Sequence, residues 1–309
     1  MKTLTFSNLD KIPVFGLGTW LSKPNEVYDA VIAAIDAGYR HLDCAYIYKN
    51  EKEVGEALKY VFDGGWAARE ELFITSKLWN SFHQPEQVEK AVMKSLDDLQ
   101  LDYLDLYLMH WPLAFRKEQA ASADDLISLD EIPLEETWKA MVELKKKGLV
   151  KHVGVSNFSI PKLAKLMANG EKPEMNQIEI HPYFQQDELI RFCKYNGILV
   201  TAYSPLGSRH LMKKEESITK NSVVLEIAQK HNSTPAQVVL AWGIERGTIV
   251  IPKSVNAERI KENFGANNVQ LDEEDMRKMA LLNKNQRNAT ALYAVFPEGP
   301  YTYENIWDK

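Results

Sequence analysis

Residues 14–20 read Val14-Phe15-Gly16-Leu17-Gly18-Thr19-Trp20, and this stretch decides between two parallel-sheet folds. A dinucleotide-binding βα turn needs glycines in G-x-G-x-x-G spacing, so that backbone can approach a pyrophosphate at a helix N-terminus. Gly16 and Gly18 supply the first pair. No third glycine follows in step, and Thr19-Trp20 fills the place where the phosphate-binding helix would begin. The pair therefore reads as a tight turn, and a doubly wound open sheet loses its strongest signature.

On either side, β-branched and aliphatic runs alternate with amphipathic stretches eight times. Strands are expected near 14–19, 41–45, 72–78, 104–110, 153–157, 176–181, 199–205 and 249–253. Val27, Val31, Ala34 and Ile35 form one helical face. Val88, Val92, Leu96 and Leu99 form another, opened by Pro85 in a first-turn position. Gly38, Gly148, Gly170, Gly197 and Gly247 follow helical stretches, where a left-handed residue closes the last turn. Each return to a parallel strand needs a crossover, and eight βα units close naturally. The expectation is a (β/α)8 TIM barrel, one domain over residues 1–309, with its site at the C-terminal ends of the strands.

Composition excludes several classes. The chain is 45% hydrophobic and 26% charged, enough to bury a core, and its net charge of −6 comes without a basic run. Nucleic acid and anionic membrane are therefore not expected partners. No apolar stretch has the length of a membrane span or signal peptide. Cys44 and Cys193 lie far apart and in no metal spacing, which fits a reducing compartment. A cytoplasmic enzyme is expected, as a monomer or weak homodimer.

The strand ends carry the chemistry. They deliver Thr19-Trp20, Asp43, Lys77, His110, Ser156-Asn157, Gln177 with Glu179, Tyr203-Ser204 and Lys253-Ser254 to one rim. Taken singly, each has a bland reading: Asp43 could partner Arg40, Lys77 could reach solvent, and His110 could be a hydrogen-bonded core histidine. Together they make a design. A buried lysine needs a counter-ion, and Asp43 is available. Positive charge beside a phenol favours its phenolate, and Tyr48 lies five residues after Asp43. Such a phenol could give a proton to a substrate oxygen, with His110 orienting the carbonyl. A metal-dependent hydrolase built on His41, Asp43, His110 and His181 is disfavoured, because Lys77 would repel a cation and no His-x-His pair opens the first strand. A non-catalytic cofactor-sensing barrel has no need of Tyr48, Lys77, Asp43 and His110 together.

These residues carry a family resemblance over nearly the whole chain. Gly38-Tyr39-Arg40-His41-Leu42-Asp43-Cys44-Ala45, Tyr48-Lys49-Asn50-Glu51 and Glu53-Val54-Gly55 resemble the first signature of the aldo-keto reductases. The stretch from Leu101 to Pro112, Gly154-Val155-Ser156-Asn157-Phe158, and Ile251-Pro252-Lys253-Ser254 with Arg259 resemble later ones. The similarity is to the aldose and aldehyde reductase branch, near xylose reductases and aldose-6-phosphate reductases.

The resemblance implies Tyr48 as general acid, Lys77 and Asp43 as the pair tuning it, and His110 as the orienting residue. It implies NADPH as cofactor, with NADH a weaker alternative. Thr19, Trp20 and Asp43 would face that cofactor. Ser156, Asn157 and Gln177 would hold its carboxamide, and Tyr203 would stack on the nicotinamide. Ser204, Leu206 and Ser208 would line the pyrophosphate, in a loop whose continuation through residues 209–216 is shortened. Lys253, Ser254, Val255 and Arg259 would bind the 2′-phosphate, and Glu262 and Asn263 the adenine. Trp20, Trp79 and Trp111, with Phe115, would wall a pocket for an aldehyde or open-chain sugar. Arg116 and Lys117 are the cations that a sugar-phosphate reductase, the alternative reading, would use. No metal is implied, and the tail after residue 290 matches no readable specificity pattern.

Overall fold

The computed structural model describes residues 2–168, 170–208 and 217–309. Strands β1 (Thr3–Thr5) and β2 (Lys11–Pro13) form an antiparallel hairpin. Then come β3 (Leu17–Gly18), β4 (His41–Asp43), β5 (Phe73–Leu78) and β6 (Leu104–Met109). A small antiparallel pair, β7 (Ala114–Phe115) and β8 (Leu126–Ile127), lies in the long connection after β6. Strands β9 (Val150–Ser156), β10 (Met175–Glu179), β11 (Leu199–Tyr203) and β12 (Ile249–Val250) complete the set.

Eight of these pair in the order β12-β11-β10-β9-β6-β5-β4-β3, every neighbour parallel. Parallel bridges from Phe15 to Val250 and from Gly18 to Lys253 join the last strand to the first, so the sheet curls closed as the expected (β/α)8 fold. The first and last strands are shorter than expected, since near closure the pairing is carried by those isolated bridges. The glycine pair also has a different reason from a turn. A Cβ on Gly16 would stand 2.7 Å from the His41 ring, and one on Gly18 would stand 2.9 Å from the Ile251 carbonyl. Both are glycine because the barrel wall comes too close for a side chain.

Helices α1 (Val27–Asp36), α2 (Glu51–Asp63), α3 (Pro85–Leu99), α4 (Leu134–Lys146), α5 (Ile160–Ala168), α6 (Asp187–Tyr195), α7 (Ser222–Lys230), α8 (Pro235–Glu245), α9 (Ala257–Phe264) and α10 (Glu273–Ala280) bury their apolar faces against the strands. Pro85 and Pro235 stand at helix starts, where a missing N–H costs nothing, and Asn256 caps α9 by accepting from Arg259 N at 2.9 Å. Gly38, Gly148, Gly197 and Gly247 have the expected left-handed backbone. Gly170 follows residue 169, which is outside the described residues.

Side-chain alternation sorts each strand into two faces. Ile74, Tyr107, Met109, Val155, Ile178 and Val200 pack outward with the helices. Phe73, Leu106, Leu108, Met175, Ile249 and Ile251 pack with Phe6 and Ile12 of the N-terminal hairpin, which plugs the barrel floor. The same inward positions turn polar one step further along. On β5 they run Phe73, Thr75, Lys77, and on β10 they run Met175, Gln177, Glu179. The barrel is apolar at one end and chemically equipped at the other. No helix among the described residues is long and apolar enough to cross a membrane.

Candidate active site

Lys77 is the centre of the polar rim. It is fully buried, and its Nζ lies 2.5 Å from Asp43 Oδ1, 2.8 Å from the Cys44 carbonyl and 3.3 Å from the Tyr48 hydroxyl. It neither reaches solvent nor leaves Asp43 to Arg40, whose guanidinium instead caps the Ile35 and Tyr39 carbonyls. Asp43 takes a second donor, Gln177 Nε2, at 2.6 Å. Three strands, β4, β5 and β10, thus contribute to one charged cluster. Burial pulls the Lys77 pKa down, but the charges and hydrogen bonds of Asp43 and Tyr48 together outweigh it and lift the ammonium to about 12.

Tyr48 sits on the short 3-10 turn Tyr46–Tyr48 that follows β4. Its ring reaches the surface in part, while its hydroxyl points among buried groups. Burial raises the phenol, Lys77 lowers it and Asp43 raises it again, with a net displacement up to about 12. This corrects the expectation that the Lys–Asp pair makes the phenolate favourable: desolvation outweighs the pull of Lys77, and the Asp43 carboxylate opposes that pull. Tyr48 is therefore held protonated. His110 stands edge-on to Tyr48, ring centroids 5.8 Å apart, and its Nδ1 is buried with no partner among the described residues. Burial and then the Lys77 charge push its pKa well below the usual value, so the imidazole is neutral.

The neighbouring polar groups are tied into the same rim. Ser156 Oγ donates to the Gln177 carbonyl at 2.8 Å. Asn157, in a left-handed conformation, donates to the His110 carbonyl at 3.0 Å and accepts from the Tyr203 hydroxyl at 2.7 Å. Thr19 Oγ1 donates to the Asp43 carbonyl, and Asn50 Nδ2 donates to that of Thr19, each at 2.9 Å. Ser204 is left-handed and accepts from Gly207 N at 2.8 Å, in a turn with Leu206 and Ser208 at the edge of the described segment. Residues 209–216, expected to continue that loop, lie outside the described residues.

A second polar group lies at the other side of the mouth. Lys253 donates to the Leu21 carbonyl at 3.0 Å. Partial burial lowers it, Glu26 raises it, and the nearby Arg259 charge lowers it further, for a net decrease. Two cations that crowd each other, beside the N-terminus of α9 with Ser254 and half-buried Val255, make a place suited to a dianion. Glu262 is exposed and Asn263 buried one turn on.

Aromatic rings wall the mouth. Trp79 is 5.2 Å from the His110 ring and Trp111 is 6.4 Å from it, centroid to centroid, while Phe115 meets Trp79 at 6.2 Å. Trp20 stands apart, 40% exposed. Two further walls, Tyr293 and Trp307, come from the tail and meet Trp111 edge to face. The tail is anchored by Arg287 stacked on Trp307 at 3.3 Å, and by the buried Glu179, which accepts from Asn288 N and Ala289 N. Glu179 also pairs with His181 at 3.1 Å, so His181 is part of a tail anchor and not of a metal site. His41 meets Thr75 below the rim. Among the described residues no cluster of three metal-ligating side chains occurs. Sequence periodicity could not find Arg287, Tyr293 or Trp307, because the tail before α11 (Tyr303–Trp307) is irregular and its partners lie over 100 residues away.

Arg116 and Lys117 each hold a carboxylate near the surface. Arg116 is bound bidentately by Glu131 at 2.8 and 3.1 Å, and Lys117 pairs with Asp125 at 2.6 Å.

A family model described as Aldo/keto reductase family matches residues 14–284. The chain is 45% identical to an aldo/keto reductase of Synechocystis, with 100% of this chain and 97% of that protein covered. It is 46% identical to aldo-keto reductase family 1 member A1 of Homo sapiens over 92% of this chain and 90% of that one. The structure of the aldose reductase from Schistosoma japonicum superposes with a TM-score of 0.88 at 43% identity, covering 95% of this chain and 96% of that one. The barrel, its polar rim and these similarities agree: the chain belongs to the aldo/keto reductase family and is an oxidoreductase.

Proposed function

We propose that this chain reduces aldehydes, open-chain aldoses included, to alcohols at the expense of NADPH, with NADH a weaker substitute. It acts as one cytoplasmic barrel domain over residues 1–309, a monomer or weak homodimer without nucleic-acid or membrane partners. The observation that carries the reading is the convergence of Tyr48, Lys77, Asp43 and His110 on one point of the rim.

The chemistry of each residue follows from its state. Bound NADPH supplies the hydride. The Tyr48 hydroxyl, held protonated by burial, donates to the substrate carbonyl oxygen and transfers its proton as negative charge develops there. Lys77, 3.3 Å away, stabilises the phenolate left behind. Asp43 keeps that lysine charged. Neutral His110 offers a donor to the same oxygen without competing as an acid.

The cofactor's groups match the remaining residues. Gln177 uses Nε2 on Asp43, which leaves Oε1 to accept from a carboxamide beside Ser156 and Asn157. The Tyr203 ring, steadied through its hydroxyl, is suited to stack on a nicotinamide. Thr19 and Trp20 would flank it. Ser204, Leu206 and Ser208 would hold the pyrophosphate, and Lys253, Ser254, Val255 and Arg259 the 2′-phosphate. Glu262 and Asn263 would hold the adenine. Trp79 and Trp111, with Phe115 against Trp79, favour medium-sized apolar aldehydes. Purified protein should oxidise NADPH with an aromatic aldehyde, unaffected by chelator. Absence of turnover over a panel of aromatic aldehydes, aldoses and aldose phosphates would refute the reading.

A further inference from the structure

Glu118 lies outside every signature read in the sequence, yet it joins three parts of the mouth. Its side chain takes the Lys49 ammonium at 2.5 Å and the Tyr46 hydroxyl at 2.8 Å, both on Oε2. Its backbone carbonyl takes Trp79 Nε1 at 2.6 Å. Lys49 also covers the Tyr46 ring, 4.0 Å from its centroid.

The consequence is mechanical. Tyr46 and Lys49 flank Tyr48 on the turn after β4. Trp79 follows β5 and stands against His110. Glu118 itself belongs to the long connection after β6, between β7 and β8. Held from one side through its carboxylate and from the other through its carbonyl, this connection is pulled across the mouth as a clasp. Partial burial raises the Glu118 carboxyl, but Lys49 and Tyr46 outweigh it and hold it below the usual range, as expected for a persistently engaged carboxylate.

We infer that Glu118 is a positioning residue that seats Trp79 beside the Tyr48 turn and so sets the acceptance of bulky aromatic aldehydes. The inference rests on the reductase activity proposed above. Glu118 touches no reacting atom. Small aldehydes, which do not press on the Trp79 wall, are insensitive to it. The ion pair is half-exposed, so salt weakens the clasp.

The test compares wild type, Glu118→Ala and Glu118→Gln with NADPH, using one small aliphatic and one bulky aromatic aldehyde. Glu118→Ala should raise KM for the aromatic aldehyde about three- to tenfold, the scale of one exposed ion pair plus one hydrogen bond, with kcat for the small aldehyde within about twofold. Glu118→Gln keeps an acceptor for Tyr46 but loses the ion pair, so its aromatic KM should lie between those of wild type and Glu118→Ala. Added salt should raise the aromatic KM of wild type and leave that of Glu118→Gln unmoved. Hydrogen exchange reads the clasp without turnover: Glu118→Ala should accelerate exchange both in residues 114–127 and in residues 45–50. Parallel losses for both aldehydes, or unchanged exchange in residues 45–50, would overturn the inference. A wild type that reduced no aldehyde would sink the proposed activity, and the exchange result would still decide the clasp.

Discussion

Lys77 and Asp43 stand 2.5 Å apart with almost no exposure of either, a lysine–carboxylate pair closed inside the mouth of a barrel. Two such charges remain buried only because each is satisfied more than once. Lys77 donates also to the Cys44 carbonyl, and Asp43 accepts also from Gln177.

Lys77→Met should therefore cost stability as well as activity. Removing one partner of a buried pair leaves the other unpaired, which costs about 3–5 kcal/mol. Thermal denaturation should show a large fall in Tm, and the double variant Lys77→Met, Asp43→Leu should recover part of it. A Tm equal to wild type would show that the pair is not held as described.

Tyr48→Phe should keep the fold and the affinity for NADPH, because the hydroxyl makes one 3.3 Å contact to Lys77. Turnover should fall by roughly two to four orders of magnitude, the scale of general acid catalysis. Fluorescence titration with NADPH and steady-state kinetics check the two halves separately. Near-full kcat would transfer the proton-donor role to His110.

Cofactor preference should reside in Arg259 and Lys253. The two cations crowd each other and are relieved by a dianionic phosphate, whereas a ribose hydroxyl offers no such relief. Arg259→Ala should raise KM for NADPH by about tenfold or more, the scale of one lost charge-assisted contact, and leave KM for NADH nearly unchanged. An equal effect on both cofactors would place the phosphate site elsewhere.

Three buried histidines should make the protein acid-sensitive. Burial lowers His83 to about 3 and His41 to about 4, the latter against the pull of Asp43, and holds His110 well below its usual range. A histidine with a depressed folded pKa stabilises the native state above about 6.5 and loses that contribution as pH falls, because only the unfolded chain takes the proton. Each contributes a slope of roughly 1.4 kcal/mol per pH unit below that point. The Tm measured from pH 7 to 4 should drop steeply, and His83→Phe should flatten the drop. A flat acid limb in wild type would contradict the neutral burial of these rings.

The tail should respond to a residue far from the mouth. Lys162 donates to the Asn305 and Ile306 carbonyls at the end of α11 and pairs with Asp308 at 2.6 Å. Lys162→Met should loosen the seat of Trp307 against Trp111, raising KM for aromatic aldehydes a fewfold while kcat changes little. A matched change in kcat would point to a global effect on the fold.

The eightfold alternation, the closure it implies, and the strand-end positions of Asp43, Lys77, His110, Ser156, Asn157, Gln177 and Tyr203 can be read from the order of residues. That much is legible because side-chain alternation and helical spacing are local, and the polar end of each strand interrupts an apolar run. Other features depend on contacts that local patterns cannot encode. Gly16 and Gly18 answer to His41 and Ile251 across the barrel wall and not to a turn. The phenol of Tyr48 is raised and not lowered, because burial outweighs the nearest charge. Arg116 and Lys117 pair with Glu131 and Asp125. Arg287, Tyr293 and Trp307 enter the mouth from an irregular tail, and Glu118 from a long connection, through contacts between residues distant in the chain. The physical reason is the same in each case. Desolvation, close approach and pairing depend on what surrounds a side chain in space, and only the folded barrel brings those surroundings together.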